Sequence, residues 1–117
     1  MNEHLSDIDL AQALSMVTQA VPGVAGVYGG QLSAIATYGP GGRVPGIRVC
    51  RDAGQVMVEV YLTIDYTPAL RVQALAETVR GQLRSELARL AIDHIGAINV
   101  VVADVELPTM APEMRDL

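Results

Sequence analysis

The chain has 117 residues, a formal net charge of -5, no Trp or Phe, and half of its residues hydrophobic. One domain is expected at this length, and about 65% of the unfolded surface can be buried, so an aliphatic core without metals or disulfides is feasible. The acidic balance argues against a sequence-independent binder of nucleic-acid phosphates and against direct docking on an anionic membrane, since both need clustered basic residues.

All eight basic residues are Arg. Cys50 is the single cysteine and has no internal disulfide partner, which fits a reducing compartment. The first residues carry Glu3, Asp7 and Asp9 instead of a basic leader, and no apolar run approaches the roughly 18 residues of a membrane span. The expectation is a cytoplasmic protein that inserts into no membrane and reaches one only through a partner.

Ser6, followed three residues later by Asp9, resembles a capping box. Ile8, Ala11, Leu14, Val17 and Val21 form an apolar stripe behind it, which predicts a helix over Asp7–Ala20, stopped by Pro22-Gly23. Val24–Tyr28 reads as a short strand weakened by Gly26. Gln31–Tyr38 fits either a short strand or one helical turn. Tyr38–Gly46, with its Gly and Pro residues, reads as a loop. Ile47–Arg51 reads as a strand, and Asp52-Ala53-Gly54 as a three-residue hairpin connection with a bulge.

The stretch from Gln55 to Glu106 organises the chain. Val56, Val58, Val60, Leu62 and Ile64 alternate with Met57, Glu59, Tyr61, Thr63 and Asp65, the period of a strand with one aliphatic face. Thr67-Pro68 suits a helix start. Val72, Leu75, Ala76, Val79, Leu83, Leu87 and Leu90 then recur at helical spacing, to about Leu90–Ile92. Asp93–Ala97 reads as a turn with Gly96 in a left-handed conformation. Ile98–Val105 is apolar on nearly every residue, as in a strand covered on both faces. Strand, long helix and strand make a βαβ unit with parallel strands.

The fold class expected is therefore α/β (α+β), in the order α-β-β-β-α-β. Two helices should cover one face of a mixed sheet of three to four strands. Residues 1–107 should form the single domain, and 108–117 a loosely held tail. The other face of the sheet, carrying Met57, Glu59, Tyr61 and Thr63, with Arg48 a candidate beside them, should be partly open.

No constellation of residues carries a catalytic motif. The glycines of Tyr38–Gly46 lead into a strand, without the Lys or the helix N-terminus that a phosphate cradle uses. Asp65 and Asp104 sit near the C-terminal ends of the two parallel strands, where α/β ligands bind, but strand-end acids also cap turns. His4 and His94 have neither zinc nor triad spacing, and His94 is placed to meet the last carbonyls of the long helix. Cys50 reads as a small hydrophobe in a sheet. The arginines of the long helix read as a solvated face, with no aromatic platform for single-stranded nucleic acid. The residues favoured as a protein-contact surface are Tyr38, Arg43 and Pro45 of the loop, with Met57, Glu59 and Tyr61 of the open face. No catalytic residue, cofactor or metal is expected.

Several segments resemble the alkaline shock protein family, also called the envelope stress response family. They are Val21–Val27 after the first helix, Arg43-Val44-Pro45-Gly46-Ile47-Arg48-Val49 before the hairpin, the Val-rich strand with Thr67-Pro68, and the closing Ile98–Val105. The resemblance covers about Leu10–Leu107. It implies a non-enzymatic bacterial cytoplasmic protein linked to cell-envelope stress, which self-associates and is held at the membrane by a small integral-membrane partner. The Arg-rich, Lys-free composition fits an actinobacterial-type member. Two alternatives stand beside it: a small nucleic-acid-binding α/β domain, and a ligand-binding domain or enzyme using Asp65 and Asp104.

Overall fold

The Ser6 hydroxyl accepts a hydrogen bond from the Asp9 amide at 3.2 Å and starts α1 (Asp7–Gln19), as the capping pattern predicts. The structure, a computed structural model, describes residues 5–28, 35–40 and 42–107. His4, the segment 31–34 and the tail 108–117 lie outside the described residues. Helix α1 buries Ile8, Leu10, Ala11 and Leu14, and its buried Thr18 hydroxyl donates to the Leu14 carbonyl at 2.8 Å.

The remaining elements are β1 (Val24–Val27), β2 (Ala36–Gly39), β3 (Gly42–Pro45), β4 (Ile47–Asp52), β5 (Gln55–Asp65), α2 (Val72–Arg89) and β6 (Ile95–Glu106). Strand β5 is the axis of a four-stranded mixed sheet. Along one side of it β6 runs parallel, as the βαβ pattern predicts. The other side is shared end to end: β4 pairs antiparallel with the stretch up to Val60, and β1 with Leu62–Ile64. The handover falls at Tyr61, whose amide donates to the Gly46 carbonyl and whose carbonyl accepts from the Tyr28 amide. Gly46 is required there. Its φ is +79°, and a Cβ would lie 2.7 Å from the Val27 Cβ and 2.8 Å from the Tyr28 nitrogen.

Both helices cover one face. The alternation on β5 buries Val56, Val58, Val60, Leu62 and Ile64 at 5% exposure or less. These meet Leu10 and Leu14 of α1 and Val79, Leu83 and Leu87 of α2 in one aliphatic core. Each such side chain contributes about 1.5–3 kcal/mol when fully buried.

The fold departs from the sequence expectation at five places. Tyr38–Gly46 is not a loop: β2 and β3 form an antiparallel hairpin with Gly39 opposite Gly42. Its strands are held by tertiary contact. The buried Thr37 hydroxyl donates to the Ile47 carbonyl at 2.7 Å and accepts from the Val49 amide at 3.1 Å, closing the outer edge of β4. The β4–β5 connection is a two-residue turn, since Asp52 pairs directly with Gln55 and both Ala53 (φ 52°) and Gly54 (φ 80°) are left-handed.

Helix α2 begins at Val72, not at Thr67-Pro68. The Leu70 amide instead bonds back to the Thr67 carbonyl in a turn that carries the chain off the end of the sheet. The left-handed residue after α2 is Ala91 (φ 62°), not Gly96. The Ile92 amide donates to the Leu87 carbonyl and the Ala91 amide to the Ala88 carbonyl, the Schellman arrangement. Finally, β6 is covered on one face only: Ile98 is buried on the helix side, whereas Asn99, Val101 and Asp104 on the other face are exposed, Val101 at 38%. Its continuous apolar run belongs to an edge strand.

Three positions give measurable effects on stability. Gly46→Ala combines a left-handed strain with backbone overlap and should cost about 3 kcal/mol in urea unfolding. Ala91→Gly relieves a strained alanine and should gain about 1 kcal/mol by the same measurement. The Glu86 carboxylate accepts from Arg89 at 2.9 and 2.5 Å, and this hydrogen bonding holds its pKa below the ordinary 4.5. A depressed carboxylate contributes stability that is complete above its unfolded pKa and is lost as pH falls through the lower folded value. Thermal unfolding followed from about pH 6 to about pH 3 should therefore lose less stability in Glu86→Gln than in the wild type.

Candidate functional site

The face of the sheet turned away from both helices is the surface left for function. It takes the odd residues of β5 (Met57, Glu59, Tyr61 and Thr63, all half-buried) and their neighbours across the ladders. Register places Cys50 beside Met57 and Arg48 beside Glu59 on β4, with Asn99 beside Glu59 and Val101 beside Tyr61 on β6. Half-burial of the aliphatic and aromatic members follows from period-two alternation: a strand that puts Val and Leu inward must put these residues outward.

The Arg48 guanidinium donates to the Glu59 carboxylate at 2.9 Å, with side chains 48% and 32% exposed. An exposed pair of this kind is worth about 0–1 kcal/mol to the fold, so it is free to serve recognition. Arg48, Cys50, Met57, Glu59, Ala97 and Asn99 rim a shallow depression of about 180 Å³. Cys50 is exposed, not the packed hydrophobe the sequence suggested. Val49 takes the inward position on β4, so its neighbour must face out.

The six candidate contact residues fall in two places. Met57, Glu59 and Tyr61 lie together on the open face. Tyr38, Arg43 and Pro45 lie on the β2–β3 hairpin, beyond the outer edge of β4, where Tyr38 pairs with Arg43 and Pro45 with Ala36. The hairpin belongs to the helical side: Gly39 is so close to α1 that a Cβ would come within 2.7 Å of the Ile8 side chain. Arg48, Asn99 and Val101 complete the open face, and parallel β5–β6 pairing would have placed the last two beside Glu59 and Tyr61 once the register was known.

Asp65 and Asp104 share the open face at neighbouring strand ends, since Thr63 pairs with Asp104 and Asp65 with Glu106. Both are exposed. Asp104 accepts from the Val105 amide at 2.9 Å, a local capping role. An acid pair for general acid–base work needs a cleft that drives its two pKa values apart, and these carboxylates stand in solvent. His94 is exposed, and its carbonyl accepts from the Val56 amide at the start of the parallel ladder. Among the described residues no group of three or more His, Cys, Asp or Glu side chains is placed to hold a metal ion. Among the same residues no helix is long and apolar enough to cross a membrane.

No protein-family model and no curated protein sequence matches the chain. Solved structures do. A doubly substituted MamM CTD superposes with a TM-score of 0.55 at 16% identity, over 92% of this chain and 100% of that one. The MamM CTD copper form gives 0.52 at 15% identity, over 87% and 86% of the two chains. A MamM CTD carrying one substitution gives 0.50 at 15%, over 85% and 94%. At such identities the likeness is one of fold: this chain has the architecture of the MamM CTD.

Proposed function

We propose that this chain is a non-enzymatic protein-interaction module that binds through the open face of its sheet. The observation that carries the reading is the composition of that face. Tyr61 and Val101 form an apolar patch, and the exposed, weakly stabilising Arg48–Glu59 pair lies between it and Met57. Half-buried aromatic and sulfur side chains bordered by a charged pair are the residue types that protein interfaces favour. An oligonucleotide would want the opposite charge, and a substrate would want a deeper cavity with convergent polar groups.

The finer reading takes up the family resemblance. The module works as a cytoplasmic scaffold tied to the bacterial envelope stress response, as an actinobacterial-type member of the alkaline shock family. A small membrane-anchored partner brings it to the membrane. Metal binding, suggested for the neighbours by the copper form, is not part of the proposal, because the His, Cys, Asp and Glu residues of this chain are scattered among the described positions.

The test is capture of the tagged protein from detergent-solubilised host membranes, with mass spectrometry of what is retained. The wild type should retain one small membrane protein. Tyr61→Glu places a charge in the apolar patch beside Val101 and should reduce that recovery about tenfold or more, while unfolding within about 1 kcal/mol of the wild type. Equal recovery by wild type and variant would remove the open face as the contact surface. Retention of nucleic acid in place of a membrane protein would overturn the scaffold reading.

A further inference from the structure

The outer edge of β6 is the other unused surface. No described strand pairs with it. Two irregularities divide β6: the three residues Val56–Val58 of β5 stand against the four residues Ile95–Ile98 of β6, and Ala103 is an extra residue between Val102 and Asp104. Between them, Ile98–Val102 is a regular stretch without Pro or charge.

The ladder fixes main-chain direction along this edge. The His94 and Glu106 carbonyls point toward β5, because they accept from the Val56 and Tyr66 amides. Each bulge reverses the alternation, so Ile98, Val100 and Val102 turn their N–H and C=O groups outward, as does Val105. Both ends of this free ladder are covered by charge. The Arg80 side chain of α2 donates to the Ile98 carbonyl at 3.2 Å and also pairs with Glu77 at 2.7 Å. Asp104 takes the Val105 amide at 2.9 Å. The edge therefore carries a cation at one end, an anion at the other, and between them main-chain groups that no described residue pairs with.

We propose that two copies of this chain associate through this edge, β6 against β6, antiparallel about a two-fold axis at Val100. Antiparallel pairing places Ile98 opposite Val102 of the other copy and brings Arg80 toward the other copy's Asp104. That acid lies two residues past the ladder, about 7 Å at 3.3 Å per residue, within reach of an extended arginine. Parallel pairing would set Arg80 against Arg80 and Asp104 against Asp104, so charge selects the antiparallel arrangement. The contact is isologous and closes at two copies, which removes the exposed edge instead of propagating it.

The product is a continuous eight-stranded sheet with all four helices on one side. The two open faces become one surface, with the Val101 side chains near its centre. This deepens the interaction-module reading and rests on it: a partner with two sites would bind the joined face with gain from effective concentration.

Charge exchange tests the pairing. Sedimentation velocity at low salt should find the wild type dimeric. Arg80→Glu alone sets two acid pairs across the axis, and Asp104→Arg alone sets two basic pairs; each should weaken dimerisation about tenfold or more. An equimolar mixture should recover the wild-type affinity as a heterodimer, because both contacts become complementary and the recovery shows that both variants are folded. Tyr61→Glu, on the open face, should leave the dimer intact. A monomeric wild type, or single variants that dimerise as the wild type does, would overturn the edge pairing and leave the open-face reading to its own membrane capture. A dimer lost in Tyr61→Glu but not in the charge variants would overturn it too, and would assign self-association to the open face.

Discussion

Everything in this fold depends on one strand having neighbours on both edges and a helical layer on one face only. Strand β5 pairs with β6 along its length on one side and with β4 and β1 in succession on the other. Its five inward aliphatics are the floor on which both helices sit. With no Phe or Trp in the chain, the core is filled by many small contributions from Val, Leu and Ile. A core of that kind tolerates no error in register, because a one-residue slip would turn the whole aliphatic row to solvent.

That arrangement explains the places where the chain is locally constrained. Two strands share one edge of β5, so the chain must arrive at the same point twice, and Gly46 is the residue at which main chain meets main chain. The outer edge of β4 is sealed by the two hydrogen bonds of one buried threonine hydroxyl rather than by another strand. On the opposite side of the sheet the outer edge of β6 has no comparable strand or hydroxyl seal among the described residues. It carries an arginine at one end and an aspartate at the other. Sheet edges in proteins are managed in one way or another, and this molecule treats its two differently.

Much of this was legible in the residues. The Ser6–Asp9 cap, the alternation of β5, the stripe of α2 and the parallel βαβ unit are short-range patterns whose physics is complete within a few residues. So was the share of β5 in the open face, since alternation that sends Val58 and Val60 inward sends Glu59 and Tyr61 outward. The hairpin at Ala36–Pro45 was not legible, because its strands exist by virtue of Thr37 reaching β4 and Gly39 lying against Ile8. Nor was the start of α2, where the geometry of leaving the sheet overrode the propensity of Thr67-Pro68 to open a helix. Ala53 and Ala91 hold left-handed conformations that composition assigns to glycine, because turn register and helix termination imposed them from outside.

The sequence by itself determined the core positions of the two helices and of β5, which strand is central and which β5 side chains look outward, because burial follows periodicity and periodicity is local. Only the tertiary structure decided what the outward residues meet. The same valine run in Ile98–Val105 is compatible with a strand buried on both faces or with an edge strand. The choice rests on how many layers a chain of this length can build around β5. Two helices suffice to cover one face, so among the described residues β6 is left with an open face and an unpaired edge, and it is there that the chain has surface to offer another molecule.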